Sequence, residues 1–220
     1  GQTARTGCVV HVESATRAAT LDSGSIASGG TLNLKGATVN GSGTLTNQGT
    51  LATFNNVTNN INMSLSNASG AMLRVSDQNS IGSQGGITLT VANGFTNSGT
   101  IELVTNAGNC CGPSSATLNV TTGTLTNATG GTIRSTGSST ATNTLNAQVT
   151  NQGTVEVNQP LAVSTLGSNS GQLTVASGSS LTATAGFTNT GVLSGSGTIS
   201  VGSGSAKLVN QGTIKPGGTL

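Results

Sequence analysis

Side chains able to do acid, base or nucleophilic chemistry are scarce in this 220-residue chain, and their spacing limits what they can do. The carboxylates are Glu13, Asp22, Asp77, Glu102 and Glu156, the single histidine is His11, and the thiols are Cys8 and the adjacent Cys110 and Cys111. General acid–base catalysis needs such groups held close together. Glu102 in GTIEL and Glu156 in GTVEV occupy the same place in two similar segments. Stacked two layers apart, they would share a face at roughly 10 Å. That separation suits the carboxylate pair of an inverting, polysaccharide-cleaving β-helix enzyme. Two solvated charges that discourage sticking account for the same residues more simply. The expectation is a non-enzymatic protein, with no catalytic and no cofactor-binding residue.

Metal chemistry has no better footing. Calcium takes several carboxylates in one loop, and no Asp-rich nonapeptide occurs. Zinc needs Cys and His at motif spacing, and Cys8 with His11 is half a site. No metal is expected, and His11 reads as an ordinary strand residue in CVVHV. The pair Cys110–Cys111 lies in TNAGNCCGPSSA, which reads as a projecting loop of extra residues. A disulfide from Cys8 to this loop, within or between subunits, and three free thiols are both open.

The elements that would position these groups follow from composition. Gly, Thr, Ser and Asn make up more than half of the chain, charged residues only 5%, and aromatics 1%. Three Glu and three Lys cannot furnish helical bundles or coiled coils. The 34 glycines have no three-residue period, which excludes collagen. The net charge is +2, and the seven Lys and Arg are scattered, so neither a nucleic-acid face nor a polybasic membrane patch forms. No apolar run approaches the ~20 residues of a membrane span. The start lacks a signal-peptide pattern and the chain stops at KPGGTL, which together read as an excerpt of something longer. Apolar residues alternate in triplets such as Leu32-Asn33-Leu34 and Leu173-Thr174-Val175, the period of a strand with one buried face.

A repeat organises these strands. It runs from an apolar residue to Asn two steps on, Gly two further, and a new apolar strand. The corner pairs are Asn47 and Gly49, Asn97 and Gly99, Asn151 and Gly153, Asn189 and Gly191, and Asn210 and Gly212, with looser copies at Asn67, Asn127 and Asn169. The unit is near 20 residues, two copies are stretched, and each unit holds two or three short strands. With no helix to carry a crossover, parallel neighbours are reached by winding each turn upon the last. The expected fold is therefore all-β: a parallel β-solenoid (β-helix) of about eleven coils, on the order of 50 Å long. A sandwich of antiparallel hairpins is the alternative. Residues 1–29 are expected to form an N-terminal arm or cap, and residues 30–220 the solenoid body, with an extra loop near 105–116. Asn and Gly at the corner are expected to supply left-handed backbone, and stacked Asn side chains a hydrogen-bonded ladder.

The segments LTNQGTL, VTNQGTV and LVNQGTI, with the ending GTIKPGGTL, resemble the repeats of filamentous-haemagglutinin-like and autotransporter-passenger adhesins. The resemblance runs from about residue 30 to 220, and implies a secreted or surface-exposed bacterial stalk that adheres or builds matrix. No secretion-domain signature, membrane barrel or Arg-Gly-Asp tripeptide accompanies it. The expected function is structural: an extracellular or cell-surface rod or fibre subunit that self-associates head to tail through exposed strand edges. The alternative is an adhesin stalk that binds host glycans or surfaces. Ice binding is a lesser alternative: Thr182-Ala183-Thr184 is the clearest Thr-x-Thr, with Thr142 and Thr144 another, and such pairs do not recur once per coil.

Overall fold

Alternation and corners together dictate what the computed structural model contains. It describes residues 2–4, 9–13, 18–54, 57–76, 86–107 and 112–217. All named strand pairings are parallel and fall into two sheets. The narrow sheet has ten strands: Val9–Glu13, Thr31–Lys35, Thr50–Thr53, Met72–Ser76, Thr100–Thr105, Thr132–Gly137, Thr154–Val157, Gln172–Val175, Val192–Gly195 and Thr213–Pro216. Each pairs with the next coil's strand in that order, so the chain is a parallel β-solenoid. The wide sheet has fourteen strands, including Thr38–Asn47, Thr58–Asn67, Ala116–Asn127, Asn143–Asn151 and Leu161–Asn169. Register shifts such as those at Asn40/Thr44 and Asn119/Thr124 divide it lengthwise, so a coil carries two wide-sheet segments and one narrow-sheet strand.

Ten rungs at ~4.8 Å make a stack about 43 Å long, one rung fewer than a uniform 20-residue coil implies. Steps of 30 residues between Asn67, Asn97 and Asn127 consume chain in loops without adding rungs. One such loop is tied at its neck by the antiparallel bridge between Asn106 and Ser114. The N-terminal segment contributes Gln2–Ala4, Val9–Glu13, Ala18–Thr20 and Gly24–Ile26 to the same two ladders as the body.

Inward columns build the core. Leu32, Leu51, Leu73, Ile101, Ile133, Val155, Leu173 and Leu193 lie in register along the narrow sheet, and all are buried. A core one coil wide buries few side chains per residue, so backbone hydrogen bonding between coils carries much of the cohesion. It continues through the corners, where Gln48, Ala68, Ser98, Ala128 and Gln152 each donate N–H to the carbonyl of the preceding coil. Among the described residues the pattern runs as far as Lys207–Asn210 and Thr213–Pro216, which pair with Gly186–Asn189 and Val192–Gly195.

Candidate functional site

The corner asparagines form one continuous ladder. Asn47, Asn67, Asn97, Asn127, Asn151, Asn169, Asn189 and Asn210 each stand one coil above the last. Every Nδ2 donates to the Oδ1 of the next, at 2.7, 2.6, 2.7, 2.7, 2.5, 2.6 and 2.7 Å. Seven of the eight side chains are buried, and Asn210 is exposed. The second Nδ2 hydrogen of the first three finds a carbonyl of the following coil, Met72, Thr100 and Thr132 at 2.8–3.1 Å. Buried amides are satisfied only because each coil supplies the acceptor the previous one needs.

This ladder has a direction and two unlike ends. Below Asn47 the column holds Ile26, and below that Ala4. Asn47 Oδ1, with no amide beneath it, takes the N–H of Gly49 at 3.1 Å. Among the described residues Asn210, the last in the column, donates to Gly212 O at 3.2 Å.

The corner glycines serve a different purpose from the one expected. Gly49, Gly99, Gly153, Gly191 and Gly212 are not among the residues with positive φ. What they provide is closeness: a Cβ on Gly99 would sit 2.3 Å from Ala68 O, and one on Gly191 would sit 2.1 Å from Gly171 O. Positive φ belongs to the longer corners, as at Gly70 (77°) and Gly130 (85°). There, Ala71 N–H to Ala68 O and Gly131 N–H to Ala128 O close turns with Gly third, as a type II turn requires.

On the outer face of the narrow sheet the charges stack as well. Arg74, Glu102, Arg134 and Glu156 occupy successive rungs of one column. Glu102 and Glu156 do share a face two coils apart, with Arg134 between them. The nearly buried Glu102 carboxylate touches both neighbours, Arg74 Nε at 3.2 Å and Arg134 Nε at 2.9 Å. Neither Nε–H is aimed well enough to make a hydrogen bond, so the attraction is Coulombic. Asp22 lies in a loop outside this column, and Asp77, Cys8, Cys110 and Cys111 lie outside the described residues. The strands nearest in sequence to the cysteines, Val9–Glu13 and Thr100–Thr105, are four rungs apart, about 19 Å. Among the described residues no three His, Cys, Asp or Glu gather to hold a metal, and no helix is long and apolar enough to cross a membrane.

Charge is segregated by sheet. Apart from Lys207, no wide-sheet strand carries Asp, Glu, Lys or Arg. Its outer face is a lattice of hydroxyls and amides. Ser25, Thr46, Ser66, Thr96, Thr126, Thr150, Ser168 and Thr188 stack without a break beside the asparagine ladder. Farther along, Thr58, Thr88, Thr117 and Thr144 stack in register, with Asn60, Thr90, Asn119 and Asn146 two residues on. Only the rung of Thr88 and Thr90 pairs two threonines, so Thr-x-Thr does not recur once per coil in these rungs. The other three rungs carry Thr-x-Asn, so a regular column of Thr stands beside a mixed column of Asn and Thr.

Two further buried amides carry no sequence signature. Asn143 accepts from Ala116 N–H at 2.8 Å and donates to Leu103 O at 2.9 Å, and Asn59 accepts from Ala37 N–H at 3.1 Å. Both hold the corner that leads from the narrow sheet into the wide one. Comparison with protein families, curated proteins and solved structures finds no match for this chain.

Proposed function

We propose that the chain is a non-enzymatic structural protein, an extracellular or cell-surface β-solenoid rod or fibre subunit that associates end to end through exposed strand edges. One observation carries the reading. In both sheets each described coil is joined to its neighbours by parallel backbone pairing, so the edge of any such coil is a surface on which a like coil can be laid. An unpaired strand edge is a template for further strands. Low charge on the wide sheet removes repulsion between joined rods. The resemblance to bacterial surface adhesins supports the same placement, and in that variant the uncharged hydroxyl and amide face would meet host glycans. Electron microscopy and sedimentation of the purified protein over a range of concentrations test the reading. Rods joined end to end are expected; isolated particles at every concentration would overturn it.

A second reading rests on the register of the wide sheet. Rungs ~4.8 Å apart with outward groups two residues apart give Thr58, Thr88, Thr117 and Thr144 the regularity of an ice-binding face. Thermal hysteresis that disappears in a Thr88→Lys, Thr117→Lys variant is expected on that reading, and its absence from the unaltered protein removes it.

A further inference from the structure

We infer that the outer face of the narrow sheet pairs with the same face of a second copy of this chain, antiparallel, about a two-fold axis that passes between Glu102 and Arg134. Such pairing uses the side of the solenoid and needs no open strand edge, so it goes beyond end-to-end assembly.

The order of charges along one column is self-complementary. Arg74, Glu102, Arg134 and Glu156 stand on four successive rungs, so the sign runs plus, minus, plus, minus at ~4.8 Å intervals. From the other end the same column runs minus, plus, minus, plus. A second copy turned over about an axis along the strand direction therefore sets Arg74 against Glu156 and Glu102 against Arg134, each twice. Sliding that copy by one rung sets Glu102 against Glu102 or Glu156, and a parallel copy in register sets every charge against its like. A parallel copy displaced by one rung makes three opposite pairs instead of four, and does not close. Like charges directly opposite are destabilising, so the alternation selects both direction and register.

The column also has charge to spare for a partner. Glu102 lies against Arg74 Nε at 3.2 Å and Arg134 Nε at 2.9 Å, so both arginines are turned towards it. Among the described residues Glu156 makes no ion pair, and the Arg74 side chain is 40% exposed. Antiparallel pairing brings these two together on either side of the axis. The rungs just beyond carry Ala52 and Thr174, short and uncharged, which would face each other. In the adjoining outward column Thr100 and Thr132 flank the axis, equally short. Two such sheets can approach to the usual ~10 Å, a gap that Arg and Glu side chains span. The six strands from Thr50–Thr53 to Gln172–Val175 carry no other charged residue to oppose the fit.

The test exchanges charge between copies of the full chain and reads sedimentation velocity. The unaltered protein is expected to pair at about 0.01 M salt and to separate at about 1 M, where charges are screened within a few ångströms. In a pair of identical copies, Glu156→Arg sets two positive charges face to face at each Arg74, and Arg74→Glu sets two negative charges face to face at each Glu156. Each variant alone is expected to stay single. Mixed one to one they are expected to pair, because every facing position is again opposite in sign. Glu156→Gln, which leaves the contacts of Glu102 untouched, should weaken pairing about fivefold, two exposed ion pairs being lost at once. Circular dichroism checks that each variant folds. An unaltered protein that stays single at low salt, self-pairing by Glu156→Arg, a mixture that fails to pair, or unchanged pairing by Glu156→Gln overturns the inference. Side-by-side pairs that never lengthen in the microscope would sink end-to-end assembly and leave this pairing standing. Fibres one solenoid wide at low salt would do the reverse.

Discussion

Cutting the asparagine ladder at its middle should cost far more than trimming its end. The Asn127 side chain is fully buried. Its Oδ1 accepts from Asn97 at 2.7 Å, and its Nδ2 donates to Asn151 Oδ1 at 2.7 Å and Thr154 O at 3.0 Å. Leu fills nearly the same volume and makes none of these bonds. Asn97 keeps Gly99 O and Thr132 O as acceptors, so its amide is still served. Asn151 Oδ1 loses its donor in a dry interior, at about 1–3 kcal/mol, whereas the part-buried Thr154 O keeps its place in the backbone ladder. With the net bonds lost added, Asn127→Leu should destabilise by about 3 kcal/mol. Asn210→Leu removes two bonds at an exposed site, one accepted from Asn189 and a long one donated to Gly212 O, worth about 1 kcal/mol together where water can replace them. With no Trp or Tyr to report by fluorescence, the assay is urea unfolding followed by far-UV circular dichroism. In a quasi-one-dimensional stack a central defect should also split the transition, because coils on either side lose their coupling. Equal costs for the two substitutions would refute the ladder as a source of cohesion, whatever its geometry.

Two glycines should respond to alanine for opposite reasons. At Gly99 the new Cβ would meet Ala68 O at 2.3 Å and Ala71 O at 2.4 Å, and forcing the coils apart should cost about 3 kcal/mol. At Gly70 nothing lies within 4 Å, and only the positive φ is strained, at a cost of about 1 kcal/mol. A reversed order in melting temperatures would show that coil separation is not the constraint. On the charged face, Glu102→Gln leaves Arg74 and Arg134 facing a neutral amide. The loss should be about 1 kcal/mol at low salt, because both arginines are partly exposed, and should shrink as ionic strength rises. A loss independent of salt would assign Glu102 to packing instead of charge.

Sequence alone determined the fold class, the coil length and the column of corner asparagines. A period-two apolar pattern interrupted by a recurring Asn-x-Gly leaves few ways to bury one face. Asn47 and Asn151, about a hundred residues apart, could be aligned because a linear repeat maps onto a linear stack. Tertiary structure decided what depends on register, since the residue opposite a given side chain is fixed by loop lengths as well as by motif. Thus Arg134 falls between Glu102 and Glu156, and Thr58, Thr88 and Thr117 line up across coils of unequal length. The role of Gly99 also belongs to the stack, because the carbonyl of Ala68 that excludes a side chain there lies one coil away, beyond what local backbone preference can reveal. The direction of the ladder is likewise a property of the whole. Each Asn reads alike in sequence, and only the hydrogen-bonded column shows each Nδ2 turned to the coil above and the Asn47 Oδ1 turned back to Gly49.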